Sequence, residues 1–234
     1  LMPSSEGDIR DLLISEIEGL HIAGGQSRLR ATEEKVISTC ALTGIVEYEP
    51  GALTMVAKAG TPLSIINETL QKENQQLAFE PPEYKHILNL LGHSTIGGVF
   101  ATNASGSRRI QVGAARDHLL GVRFIDGLGR VVKNGGRVMK NVTGYDLVKL
   151  MAGSWGTLGI ITEVSFKVLP IAETQVTLQI ASREASILTR AMNTPYDVSG
   201  TFYDVASGFA YIRIEGFDKS VKYRMQQLLK EFSD

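Results

Sequence analysis

Apolar residues near the start of the chain fall at Ile9, Leu12, Leu13, Ile17 and Leu20. That three-four spacing makes one helix face, so a helix is expected over residues 8–20. A short strand, LHIAG, then runs into Gly24-Gly25 and QSRLR. KVISTC, GIVEYE and LTMVAKAG follow, with the β-branched content and alternation of half-buried strands. Thr61 is placed to cap the next helix, with Pro62 at its first position and Leu63, Ile66 and Leu70 on its buried face. The prolines of LAFEPPEY force an extended segment. GVRFID and RVVKN flank GLG as a hairpin, TGYDLVKLMAG reads as a short helix capped by Thr143, and IITEVSFKVLP alternates as a strand.

Beyond Pro170 the pattern changes. It becomes strand (TQVTLQIA), helix (REASILTRAMN), strand (VSGTFYDVA), strand (FAYIRIEG) and helix (KSVKYRMQQLLKEF). This predicts an α+β protein of two domains. The first spans 1–170, with α+β subdomains at about 1–85 and 86–170. The second, 171–234, is a small and truncated cap whose β-α-β-β-α order resembles part of a ferredoxin-like layer.

Composition narrows the function more than the fold. The chain has 234 residues, is 43% hydrophobic and carries a net charge of −1, so a general attraction to nucleic acid or an anionic membrane is not expected. One cysteine, Cys40, allows neither an internal disulfide nor a cysteine-held iron–sulfur cluster. No apolar run has the length of a membrane span, and LMPSSEGDIRDLL lacks the basic and apolar regions of a secretory signal. The 24 glycines are informative, because many cluster at 92–113, 127–136 and 144–159.

Three glycine-rich turns, at 24–29, 92–106 and 153–160, carry the candidate chemistry. Successive backbone N–H groups in such turns form concave nests that bind anions without a lysine. Ser27, Ser94 and Thr95 add hydroxyl donors, and Ser94 or Thr95 is placed to open a short helix through GGVFATNA. Phosphoryl transfer would require a positioned lysine and magnesium-binding carboxylates, which these turns lack. GLGRVV, at 127–132, has no third glycine and lies between two strands, so it reads as a hairpin turn. The turns therefore suit a pyrophosphate that is gripped and not transferred.

The second turn, TIGGVFATNASG followed by RDHLLGVRFIDGLGRVV, resembles the FAD-binding domain of the vanillyl-alcohol oxidase and p-cresol methylhydroxylase (PCMH-type) family. KNVTGYDLVKLMAGSWGTLGIITEVSFKVLP resembles the family's third signature, and IAGGQSRLR lies where the family has its pyrophosphate loop. Within the family, EYEPGALTMVAKAGTPL, FEPPEY and GGRVMKNVTGYDL are most similar to the smaller FAD-binding subunit of bacterial multisubunit glycolate oxidase. The resemblance implies that Ala23, Gly24, Gly25, Gln26, Ser27, Arg28 and Leu29 wrap the pyrophosphate. It brings Ser94, Thr95, Ile96, Gly97 and Gly98 to the other side, with His93 adjoining. It puts Pro81 or Pro82 near the isoalloxazine, and Gly106, Gly113, Ile160 and Ile161 along the ribityl or adenosine part. Some relatives join a histidine in the first loop covalently to the flavin. Gln26 stands there in this chain, so FAD is expected to be non-covalent.

The same resemblance implies a flavoprotein subunit acting on a small 2-hydroxy acid, with a second flavin subunit and an iron–sulfur subunit as partners. It implies a cytoplasmic location, with any contact to the inner membrane made through those partners. A self-sufficient FAD oxidoreductase for another 2-hydroxy acid such as lactate, or a non-catalytic subunit with the same fold, are the alternatives. Two features depart from the family: Trp155 replaces a usual glutamate, and the histidine-rich C-terminal motif of larger members is missing.

No catalytic base is assigned and no metal is expected. His21 and His118 are read as structural, and His86 as a surface residue. Arg108, Arg109 and Arg116 have the geometry for a phosphate or a carboxylate. Surface charge is the plainer reading for the first two, and an ion pair with Asp117 or Asp146 for the third. Tyr145 and Trp155 are expected to pack.

Overall fold

A computed structural model describes residues 1–15, 19–28, 35–136, 144–182 and 184–232. The chain divides into two compact units. One comprises Leu1–Gly106 with Ala114–Leu169, and the other Ser107–Gly113 with Pro170–Asp234. The change of pattern at Pro170 thus coincides with a change of unit, while seven residues of the 92–113 glycine cluster belong with the later unit.

The first unit is organised by a five-stranded antiparallel sheet. Its order is Ile45–Glu49, Thr54–Lys58, Ile160–Lys167, Leu119–Ile125, Val131–Gly135. It takes strands from both sides of residue 85. The helices Leu63–Gln71, Ile96–Ala101 and Leu147–Met151 supply the apolar residues that cover it. Met55, Ile66, Leu70, Phe79, Ile96, Phe100, Val164 and Phe166 are buried together, and Phe100 is tilted 5.6 Å from both Phe79 and Phe166. A second small core of Ile9, Ile37, Leu42, Ile125 and Ile160 includes Ile37 of the parallel pair His21–Ala23 and Val36–Ser38, and Ile22 packs against it.

Local chemistry explains where several helices begin. The first helix is Glu6–Ser15, two residues earlier than the apolar spacing predicts. Ser5 Oγ accepts from Asp8 N at 3.1 Å while Asp8 Oδ2 accepts from Ser5 N at 2.9 Å, a reciprocal capping box. Ile17, part of the predicted face, lies outside the described residues. Thr61 does not cap the third-segment helix as expected. Its hydroxyl donates to Lys58 O at 2.7 Å, and Pro62 holds the N-cap position of Leu63–Gln71. The predicted buried face of Leu63, Ile66 and Leu70 is as expected. Thr143 lies outside the described residues. Asp146 caps Leu147–Met151, accepting from Lys149 N.

In the second unit, Phe209–Gly216 is the central strand of an antiparallel sheet, between Thr174–Ala181 and Val198–Asp204. Ser186–Met192 and Asp218–Phe232 close one core with Leu178, Ile180, Ile212, Ile214, Val221 and Leu228. The β-α-β-β-α order matches the sequence pattern. Glu215 alternates with Ile214 and so points to the other face. There it pairs with Arg108, which precedes the short helix Arg109–Val112. Arg108 is 4% exposed, which corrects the surface reading for it; Arg109 is exposed.

Candidate functional site

The three glycine-rich turns converge in the first unit, and most of their glycines serve the convergence itself. Gln26 and His93 form a parallel β-bridge, and His93 N donates to Gly25 O at 2.9 Å. A Cβ on Gly25 would lie 1.9 Å from His93 O, and one on Gly92 2.0 Å from Gly25 O. Only glycine lets these two backbones approach so closely. In the second turn, Thr95 caps Ile96–Ala101 by accepting from Gly98 N at 3.3 Å. Gly97 N donates to Ala59 O at 2.8 Å, and its Cβ would meet Ala59 Cβ at 2.5 Å. The third turn docks on the end of that helix, with Gly153 N donating to Phe100 O and Trp155 N to Ala101 O.

Between the turns lies a cavity of about 310 Å³, at the lower end of the usual range for ligand sites. Ile22, Val36, Ala59, Val99 and Ile161 give it an apolar wall, while Ser27, Thr39, Ser94, Thr95 and Thr102 line it with hydroxyls. Ser27 Oγ and Ser94 Oγ are 3.0 Å apart, and Ser94 Oγ donates to Glu83 Oε2 at 3.3 Å. Arg28 Cζ lies 3.8 Å above the Tyr84 ring and 5.6 Å from that of Trp155.

Of the residues expected around a dinucleotide, Ala23, Gly24, Gly25, Gln26, Ser27, Arg28, Pro82, Ser94, Thr95, Gly97, Gly98 and Ile161 line this cavity. Pro81 and His93 adjoin its lining residues without lining it, and His93 is exposed. Ile96 and Ile160 are core residues, at 0% and 2% exposure. Gly106 packs on Glu80, where a Cβ would lie 2.4 Å from the carbonyl oxygen, and Gly113 belongs to the second unit. Leu29 lies outside the described residues.

Three expectations are corrected. His21 is exposed and lines the cavity rather than being buried in its strand. Trp155 is 48% exposed, lines the cavity and has φ +56°, so it is not a core residue. Tyr145 is 89% exposed rather than packed. His118 is buried with its ring 5.2 Å from Phe79, as a structural role requires, and His86 is exposed. Arg116 is also exposed.

The sequence reading missed Thr39, Ala59, Tyr84, Thr102 and Gly156 as lining residues. Tyr84 ends FEPPEY, a stretch read for its prolines, and Thr39 carries no motif; both reach the cavity through tertiary packing. The departure of Trp155 from the usual family glutamate was the one local signal.

A fold with three loops joined around a largely apolar slot that hydroxyls also line is of the class that binds a dinucleotide. The chain belongs to the FAD binding domain family, whose pattern matches residues 17–135. It is 39% identical over 215 residues to glycolate oxidase subunit GlcE of Escherichia coli (strain K12), covering 89% of this chain and 59% of that protein. It is 33% identical over 145 residues to a D-lactate dehydrogenase of Anaerostipes hadrus, covering 62% of this chain and 29% of that one. It is 34% identical over 134 residues to glycolate oxidase subunit GlcD of Bacillus subtilis (strain 168), covering 57% of this chain and 27% of the other. The chain therefore spans from about a quarter to three-fifths of the length of these relatives. The fold is that of a solved alkyldihydroxyacetonephosphate synthase, with a TM-score of 0.76 at 18% identity over 100% of this chain and 50% of that one.

The cavity fits FAD on its own chemistry. Its apolar wall suits a flat ring system, its glycine backbone suits phosphate oxygens, and Arg28 supplies a cation. Among the described residues no helix is long and apolar enough to cross a membrane, and no acidic, histidine or cysteine cluster is arranged to hold a metal ion.

Proposed function

We propose that this chain is the FAD-binding part of a flavoprotein subunit in an assembly that oxidises glycolate or a closely related 2-hydroxy acid. The observation that carries the reading is a cavity lined by all three turns, together with the extended similarity to a glycolate oxidase subunit. Backbone groups of 23–28 and 94–98 hold the pyrophosphate, and the apolar wall shields the ring from water. FAD held there would supply the hydride acceptor for oxidation of a CH–OH carbon. Gln26 offers no nucleophile for a covalent flavin link, so the cofactor is held non-covalently. With Cys40 as its one cysteine, the chain relies on another chain, an iron–sulfur subunit, for any such one-electron carrier, and a second flavin subunit completes the assembly.

The test is a flavin spectrum after incubation with FAD and desalting, followed by anaerobic addition of glycolate. The expected outcome is a retained flavin band, released on denaturation, with slow bleaching by glycolate alone and fast bleaching when partner subunits are added. Fast bleaching of the isolated chain by glycolate would overturn the subunit reading. Fast bleaching by lactate alone would favour a self-sufficient 2-hydroxy-acid oxidoreductase, a reading supported by the similarity to D-lactate dehydrogenase.

A further inference from the structure

We infer that the Arg28 side chain is the phosphate-binding cation of this site, and that Tyr84 and Trp155 are positioning residues that act through it. The inference rests on the FAD reading above and deepens it. Among the described residues that line the cavity, Arg28 is the permanent cation. Its guanidinium carbon lies over the Tyr84 ring, 3.8 Å from the centroid, and 5.6 Å from that of Trp155. Stacking occupies the faces of the guanidinium plane and leaves its in-plane N–H groups free to form hydrogen bonds. Those groups form the planar fork that matches two oxygens of a phosphate.

The neighbouring hydroxyls strengthen the assignment by counting protons. Ser94 gives its one hydroxyl proton to the Glu83 carboxylate. For both bonds to form at once, Ser27, 3.0 Å from Ser94 Oγ, donates its own proton to Ser94. Both protons run toward Glu83, so in this arrangement neither hydroxyl donates to a ligand. Arg28 is then the charged side-chain donor that needs no rearrangement to meet an anion. The backbone of Trp155 supports this role. A bulky residue at φ +56° is held against its preference, and here its N–H is tied to Ala101 O at 2.9 Å while its ring faces Arg28.

The test measures FAD dissociation constants by flavin fluorescence across a range of salt concentrations, for the full chain, four single variants and one double variant. Riboflavin serves as the phosphate-free control and ADP as the flavin-free competitor. Arg28→Gln is expected to weaken FAD and ADP by about 10- to 100-fold, to flatten the salt dependence, and to leave riboflavin nearly unchanged. Arg28→Lys keeps the charge without the planar stack and falls between. Tyr84→Ala is expected to weaken FAD in the same salt-dependent manner, by about threefold to tenfold, whereas Tyr84→Phe retains binding. Because Tyr84 acts through Arg28, Tyr84→Ala has no further effect when added to Arg28→Gln. Unchanged FAD affinity in both Arg28 variants, an equal loss for riboflavin, or additive effects in the double variant would each overturn the inference. A wild-type chain that binds neither FAD nor ADP would instead overturn the FAD reading itself.

Discussion

At the scale of single residues, the two kinds of glycine in the site separate by what their missing side chains would touch. Gly97 is needed by the protein, since a Cβ there would lie 2.5 Å from Ala59 Cβ and 2.8 Å from its carbonyl oxygen. Gly97→Ala is expected to cost about 1–3 kcal/mol by overpacking, visible as a lower melting temperature. Gly98 lines the cavity with only Thr95 Oγ1 near its Cβ position, at 3.1 Å. Gly98→Ala is expected to leave the melting temperature nearly unchanged, because alanine favours the helix, while weakening FAD binding. A large loss of stability in Gly98→Ala, or unaltered FAD affinity, would show that this glycine does not face the ligand. Glu83 gives an opposite sign. Its carboxylate accepts from Ser94, which in turn contacts Ser27, and adds negative charge near the cavity. Glu83→Gln is expected to tighten FAD by about two- to tenfold in a fluorescence titration, and weaker binding would mean that Glu83 orders the site instead.

At the scale of elements, the first helix is tied to the sheet by one carboxylate. Glu6 Oε1 and Oε2 accept from Arg123 at 2.6 Å, and Oε1 also accepts from Thr162 at 2.6 Å. The Arg123 bonds, aided by Thr162 and opposed by burial, hold the Glu6 carboxyl below its ordinary value of 4.5. Folded Glu6 thus binds its proton less tightly than unfolded Glu6, so its contribution is present at neutral pH and is lost as pH falls below about 4.5 through the lowered folded value. Glu6→Gln is expected to cost about 1–2 kcal/mol at pH 7, discounted for partial exposure, and to flatten the acid limb of stability measured by denaturant melts. None of this tie is legible in the sequence, because Glu6, Arg123 and Thr162 are joined only by the folded register. What was legible is what depends on short-range pattern. Leu63, Ile66 and Leu70 share one helix face, Thr174–Ala181 alternates, and Thr95 precedes its helix at cap spacing. The caps went astray at Thr61 and the helix start at Asp8 because competing partners, the Lys58 carbonyl and the Ser5–Asp8 exchange, are settled by the backbone path. For the same reason the sequence pointed to the three turns and to Arg28, but not to the Tyr84 ring beneath it.

At the scale of the whole molecule, the cavity lining belongs entirely to the first unit, which is discontinuous in the chain. The excursion at 107–113 leaves that unit, and Arg108 within it is committed to Glu215 in the second. The Arg108 pair is therefore part of the second unit's stability, and breaking one side leaves a buried charge with its main partner gone. Arg108→Met is expected to cost about 3–5 kcal/mol, and joint replacement with Glu215→Leu to recover much of it, as seen by comparing their melts. On the proposed reading FAD binds the other unit. At about 100 times its dissociation constant, a ligand that binds only the folded state adds about 2.7 kcal/mol to stability. Added protection from hydrogen exchange is therefore expected at 22–28, 94–102 and 155–161, the segments from which the cavity is built. Protection that grew only within 174–181 and 209–216 would place the ligand on the second unit, and the pyrophosphate would then have no claim on Arg28.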